Sequence, residues 1–220
     1  PIYPVDTEQF SPASPELREV ARIRTGLPRD AECIAFVGRF APEKELLVLV
    51  EAFARVAANR PLARLVLVGD GPERSRIETL VAKLGVSDRV EMPGFADEGG
   101  VLDWLRAADV FALLSSLEGF PVSLVEAMAC GLPAVVSDIP ANRQLIKDGG
   151  AGKRVQLGDV TATASALEDF LRVPGRALAA GALGREIVVS NYSTARVIDR
   201  YEQLLSGEAP GQISERWGVK

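Results

Sequence analysis

Short runs of apolar, often β-branched residues recur along the chain, and between them lie longer stretches whose apolar positions return every three or four residues. The first kind of run reads as a strand, the second as an amphipathic helix. The pattern predicts strands over 33–37, 64–68, 89–92, 110–114, 134–137 and 153–156. Helices are predicted between them over about 43–58, 73–84, 101–108 and 122–130. Runs such as LVLV at 65–68 are apolar at every position, as in strands buried on both faces, and alternating β and α units imply a parallel sheet. The expected fold is therefore α/β: a Rossmann-like, doubly wound parallel sheet of about six strands with helices on both faces.

Beyond Asp159 the pattern turns helical, over 161–171, 176–190 and 194–205, and the last helix carries the apolar face Val197, Ile198, Tyr201 and Leu205. The first residues, with Pro4, Pro12 and Pro15, read as an extended linker. The tail 207–220 has no period and is expected to be poorly ordered. The expected division is a linker over 1–15, one α/β domain over 16–190, a C-terminal helix over 191–206 and the tail.

In a doubly wound sheet, ligands bind outside the carboxyl ends of the strands. Gly38-Arg39, Gly69-Asp70-Gly71, Gly94-Phe95 and Glu118-Gly119 fall there. The densest chemistry lies in SSLEGFPVSLVEAMACGLPAVV, residues 115–136, where Glu118 and Glu126 stand eight positions apart around a Gly119-Phe120-Pro121 corner. Pro121 suits the first position of a helix that Gly131 and Pro133 end. The amides of Val122, Ser123 and Leu124 would then face outward, a site for an anion such as phosphate. Carboxylates repel phosphate, so Glu118 and Glu126 are better read as acceptors for neighbouring hydroxyls, as in a nucleotide sugar. The residues alone equally allow a solvated loop glutamate and a helix glutamate that complements the dipole.

Arg39 follows a strand and a glycine, and Lys44 lies in the first turn of the next predicted helix, where a cation opposes the dipole. A bound anion clamped by both side chains accounts for that placement; Glu43 and Glu45 offsetting Lys44 on the surface is the alternative. Gly69-Asp70-Gly71 opens like a dinucleotide fingerprint, but Arg74 stands in place of the third glycine, which disfavours an oxidoreductase. The two glycines serve a tight turn, beside a ligand or not.

At 220 residues and 47% hydrophobic, the chain can bury a sizeable core. A net charge of −5 speaks against a nucleic-acid or anionic-membrane footprint. With no histidine there is no His general base and no His-ligated metal. The twelve aspartates include no Asp-x-Asp pair to hold a divalent ion against a diphosphate, so Arg39 and Lys44 would take the metal's place. Two cysteines provide no disulfide framework. No stretch approaches the ~20 apolar residues of a membrane span, and 1–10 lack the regions of a signal peptide. A soluble, cytoplasmic chain is expected.

Taken together, VGR followed by Lys44, VGDGP, RVEMPGF, AADVFALLS, the pair Glu118 and Glu126, and EAMACGLPAVVSDIPANRQLI resemble the nucleotide-sugar-binding half of the retaining GT-B glycosyltransferases, in particular family four, the glycosyl transferases group 1. The resemblance covers about 5–205. It implies the C-terminal half of a GT-B fold, with PVDTEQFSP as the crossover from an acceptor-binding N-terminal domain. By that resemblance Arg39 and Lys44, beside Gly38 and Gly69, bind the diphosphate, and Glu126 binds ribose. Glu118, Gly119, Phe120 and Pro121 bind the donor sugar, the amides of Val122, Ser123 and Leu124 complete the donor site, and the base lies near Arg89 and Val90. The catalytic groups implied are Arg39, Lys44 and Glu118. Where the family has Lys-Gly, this chain has Lys44-Glu45; where it has Asn-Gly before Val-Asp, this chain has Tyr3-Pro4.

The function implied is transfer of a hexosyl group from a nucleotide diphosphate sugar, linked to UDP, GDP or ADP, to an acceptor hydroxyl with retention. No cofactor and no metal are implied. The partners would be the donor and the N-terminal domain, with any peripheral membrane contact made through that domain. The isolated chain is expected to be inactive, and a binding module without chemistry is the alternative.

Overall fold

The computed structural model describes residues 3–147 and 150–205. In chain order the elements are α1 Pro15–Thr25, β1 Glu32–Val37, α2 Leu46–Asn59, β2 Ala63–Val68, α3 Arg74–Lys83, β3 Val90–Gly94, α4 Glu98–Ala107, β4 Val110–Leu113 and α5 Val122–Ala129. There follow β5 Ala134–Ser137, α6 Pro140–Leu145, β6 Gly152–Val155, α7 Val160–Arg172, α8 Pro174–Asn191 and α9 Thr194–Leu205. The strands form a single sheet in the order β3-β2-β1-β4-β5-β6, with every pairing parallel. The chain reverses direction across the sheet between β1 and β4, which opens a crevice at their carboxyl ends. This is the doubly wound Rossmann-like α/β fold that the alternation predicts.

The central strands are buried along nearly their whole length, since helices cover both faces. Helix α2 shows how the pattern builds the core. Leu46, Leu49, Val50, Phe53, Val56 and Ala57 recur on one stripe and are all buried, and the helix packs on α7 and α3. On other contacts α1 packs on α4 and α5 on α8. No helix among the described residues is long and apolar enough to cross a membrane.

The structure departs from the sequence expectation at α1 and α6. Helix α1 begins where a linker is expected to end: Ser14 caps it by accepting the Leu17 amide at 3.2 Å, Pro15 takes its first turn and Gly26 ends it at φ 73°. It carries little apolar stripe because polar contacts hold it. Arg22 is buried and donates to the carbonyls of Ala31 and Ala107 and to Asp109, while Arg18 donates to Ala108 and Asp109. Helix α6 is only six residues long and shows no period. The helix predicted over 43–58 divides into a 3-10 turn, Pro42–Lys44, and α2 from Leu46.

The stretch before α1, expected as an extended linker, is tied to the domain. Val5 and Phe10 are buried in the core, Val5 donates its amide to Tyr192 at 2.9 Å, and Arg185 donates to the carbonyls of Thr7 and Phe10. In the last helix Val197 is 2% exposed, whereas Ile198, Tyr201 and Leu205 face outward, Leu205 at 86%. The expected tail over 207–220 lies outside the described residues.

Candidate functional site

Three loops close the carboxyl edge on the β1 side of the crevice. The Gly38 amide donates to Val68 at 3.0 Å, the Gly69 amide to Gly94 at 2.8 Å and the Phe40 amide to Asp70 at 2.8 Å, so the ladder continues past the strands and fixes these turns to one another. Arg39 projects from this base, exposed, and its side chain has no hydrogen-bond or ion-pair partner among the described residues.

Across the reversal, the loop after β1 is stitched to the loop after β4. The Ser116 amide donates to the Glu43 carbonyl at 2.8 Å, and Lys44 Nζ lies 2.6 Å from Glu118 Oε1. The two side chains are 18% and 9% exposed, so the pair is largely withdrawn from water. The same Oε1 accepts the Ser115 hydroxyl at 2.7 Å. Behind it a buried polar chain runs into the sheet: Ser137 Oγ donates to the Ser115 carbonyl, and Asn142 Nδ2 donates to the Ser137 carbonyl at 2.9 Å. Lys44 and Glu118, expected on separate errands, are direct partners here.

Pro121 caps α5, and Val122 opens it. Of the three amides expected to face an anion, Val122 donates to the Phe120 carbonyl and Leu124 to the Pro121 carbonyl, each at 3.0 Å. Ser123 alone of the three has no partner for its amide among the described residues. The tight Phe120-Pro121 turn consumes the other two donors. Gly119 joins this turn to Glu118, and the Phe120 ring is flanked by Tyr3 and Tyr192, with centroids 5.8 and 5.7 Å away. Glu126, one turn into α5, is half-buried and has no side-chain hydrogen-bond or ion-pair partner among the described residues. Burial, and secondarily the charge of Glu98, push its carboxyl up to about 7.

Arg89 and Val90 do not join this assembly. They lie at the amino end of β3, where Arg89 Nη1 donates to the Ala57 carbonyl at 2.7 Å near the end of α2 and Val90 is buried against Leu65. That edge is opposite the crevice, because β3 runs parallel to its neighbours, so neither residue can line a base pocket shared with Glu126. At the carboxyl edge, just past Gly94, stands Phe95, 89% exposed. Ser115, Ser137 and Asn142 are the site-supporting residues that sequence reasoning missed. The one available signal was a polar pair closing the fully apolar run before Ser115, a place where a strand end has no apolar reason to change.

A family model described as glycosyl transferases group 1 matches residues 18–198. D-inositol 3-phosphate glycosyltransferase of Frankia alni is 36% identical over 217 residues, which cover 93% of this chain and 53% of that protein. The chain thus spans about half the length of such relatives. A structure of Anabaena Alr3699/HepE in complex with UDP and glucose matches with a TM-score of 0.84 at 22% identity, over 94% of this chain and 56% of that one. The C-terminal domain of a glycosyl transferase group 1 family protein (LpcC) from Francisella tularensis matches with a TM-score of 0.78 at 24% identity, over 86% of this chain and 99% of that one. At these identities the two structures establish the fold.

Proposed function

This chain belongs to the glycosyl transferases group 1 family, and we propose that it is the nucleotide-sugar-binding half of a retaining GT-B glycosyltransferase. The observation that carries the reading is the stitching of the loop after β1 to the loop after β4 at the sheet's reversal, through Lys44 on Glu118 and Ser116 on Glu43, in the segments that also carry Arg39 and Ser123. UDP and glucose in the Anabaena relative's structure and the glycosyltransferase name of the Frankia relative support the same substrate class.

In this reading Arg39 and Lys44 neutralise the diphosphate, and the Ser123 amide adds a dipole to it. Charge grows on the departing diphosphate in the transition state, so cations already in place lower the barrier without a metal. Glu126 accepts from ribose hydroxyls and Glu118 from a sugar hydroxyl. Phe95, rather than Arg89 and Val90, offers the face on which a base stacks, a contact worth about 1–3 kcal/mol per base. Transfer to an acceptor hydroxyl needs the half of the relatives' length that this chain does not span, so the chain alone binds donor and does not turn it over. Cys33 and Cys130 are unpaired, in keeping with a reducing cytoplasm, and burial pushes both thiols up to about 12, which leaves them unreactive.

Calorimetric titration of the chain with UDP, GDP and ADP tests the reading. One of the three is expected to bind, and Phe95→Ala to weaken it. Absence of binding by all three, or robust sugar transfer by this chain alone, would overturn it.

A further inference from the structure

Glu118 Oε1 is shared by two donors of different character. Lys44 ends a 3-10 turn at the mouth of the crevice, on a flexible stem whose ammonium can turn to another anion. Ser115 is fully buried, and its backbone is tied down through Ser137 to Asn142. One donor can leave; the other cannot. A diphosphate entering beside Arg39 carries more negative charge than a single carboxylate and competes for Lys44.

We propose that Ser115 is a positioning residue for Glu118, and that binding the diphosphate is a partner exchange: Lys44 turns from Glu118 to phosphate while the Ser115 hydroxyl keeps the carboxylate in place for a sugar hydroxyl. The inference rests on the nucleotide-sugar reading. Before binding, Glu118 competes with phosphate for Lys44. After binding, the freed acceptor capacity of Glu118 is available to the sugar. The sugar position is thereby prepared by the diphosphate rather than standing open beforehand.

The test is a set of calorimetric titrations with UDP and UDP-glucose, GDP and GDP-mannose, and ADP and ADP-glucose, followed by the best-bound pair on variants. Glu118→Gln, which loosens the hold on Lys44, is expected to raise affinity for the bare diphosphate by about threefold or more. Ser115→Ala should leave diphosphate affinity within about twofold, which also checks folding, and lower affinity for the sugar donor by about threefold or more. Ser115→Thr, which retains the hydroxyl, should restore it. In a Glu118→Ala background Ser115→Ala should have no further effect on the donor, because it acts through that carboxylate. If Glu118→Gln weakens the diphosphate or leaves it unchanged, or if Ser115→Ala acts equally on diphosphate and donor, the exchange is wrong while the nucleotide-sugar reading stands. If the unaltered chain binds none of the three diphosphates, both fail together.

Discussion

A Cβ atom added to Gly69 would stand 2.0 Å from the carbonyl oxygen of Gly38. The glycines that end β1 and β2 therefore pack backbone against backbone, and Gly71 does the same against the Phe40 carbonyl at 2.4 Å. The sequence left open whether Gly69 and Gly71 make room for a ligand or only for a turn. The room is taken by neighbouring main chain, and this close packing carries Arg39 at the edge of the crevice.

Gly69→Ala is expected to lower stability by roughly 3 kcal/mol or more, since a methyl group meets main chain that cannot yield locally and φ of 134° is strained for alanine. Urea denaturation reads this directly. A midpoint equal to that of the parent would mean that the two loops separate easily, and that Arg39 is not rigidly placed.

Glu45 is the one non-glycine described residue at positive φ, 52°, where the resembling family has glycine after its lysine. The left-handed conformation costs an L-residue about 1–2 kcal/mol, part of which glycine returns as chain entropy. Glu45→Gly is thus expected to stabilise the chain by about 0.5–1 kcal/mol. It also removes a negative charge next to Lys44, so nucleoside diphosphate affinity should rise. Thermal melting and calorimetry together check this; lower stability in the glycine variant would show that the Glu45 side chain contributes a contact the backbone strain conceals.

Where apolar periodicity carried the information, the sequence was legible: β1, β2, β4 and β5 are runs such as LVLV, and burial on both faces leaves them no other reading. Where polar contacts carry the structure, it was not. Helix α1 is fixed by Arg18 and Arg22 on Asp109, contacts more than eighty residues away in sequence that no local pattern announces. The site shows the same division. Glu118 and Glu126 stand out in the sequence by their spacing about a Gly-Phe-Pro corner, and α5 by its proline, but the use of the Val122 and Leu124 amides within that corner does not. The Lys44–Glu118 pair was not visible, because it joins two loops that meet only through the sheet order. Arg89 and Val90 entered through the family resemblance and not through the strand pattern, which already set Gly94-Phe95 at the carboxyl end of β3 and Arg89 at its start.

The carboxyl of Glu126 is pushed up to about 7, first by burial and then by Glu98, from an ordinary value of 4.5. The folded chain thus holds this proton more tightly than the unfolded chain. The stability it contributes is complete below the unfolded value and is lost as pH rises through about 7. Glu126→Gln should flatten that loss in urea melts taken between about pH 5 and 8. Because the ionised carboxylate is the stronger acceptor for ribose hydroxyls, nucleotide affinity of the unaltered chain should rise over the same interval, with a proton released on binding. Calorimetry in buffers of different ionisation enthalpy detects the proton. An affinity independent of pH, or a pH dependence that survives Glu126→Gln, would remove Glu126 from the nucleotide site.

Arg39 and Lys44 have the same proposed partner and opposite structural situations, which separates binding from folding. Arg39 is exposed and unpaired among the described residues, so Arg39→Ala should weaken diphosphate binding by about 1.5–3 kcal/mol, the scale of a hydrogen bond to a charged group, and leave the melting temperature unchanged. Lys44→Ala removes the same kind of phosphate contact but also leaves Glu118, 9% exposed, with Ser115 as its one remaining side-chain partner among the described residues. It should therefore cost stability as well, by about 1–3 kcal/mol, and adding Glu118→Gln should return most of that loss without returning the affinity. Neither result should change with EDTA, because these cations, and not a divalent ion, are proposed to meet the diphosphate. The arrangement is refuted if EDTA abolishes binding, or if Lys44→Ala is as stable as Arg39→Ala, since the second outcome would mean that the pair at 2.6 Å contributes nothing to holding the two loops together.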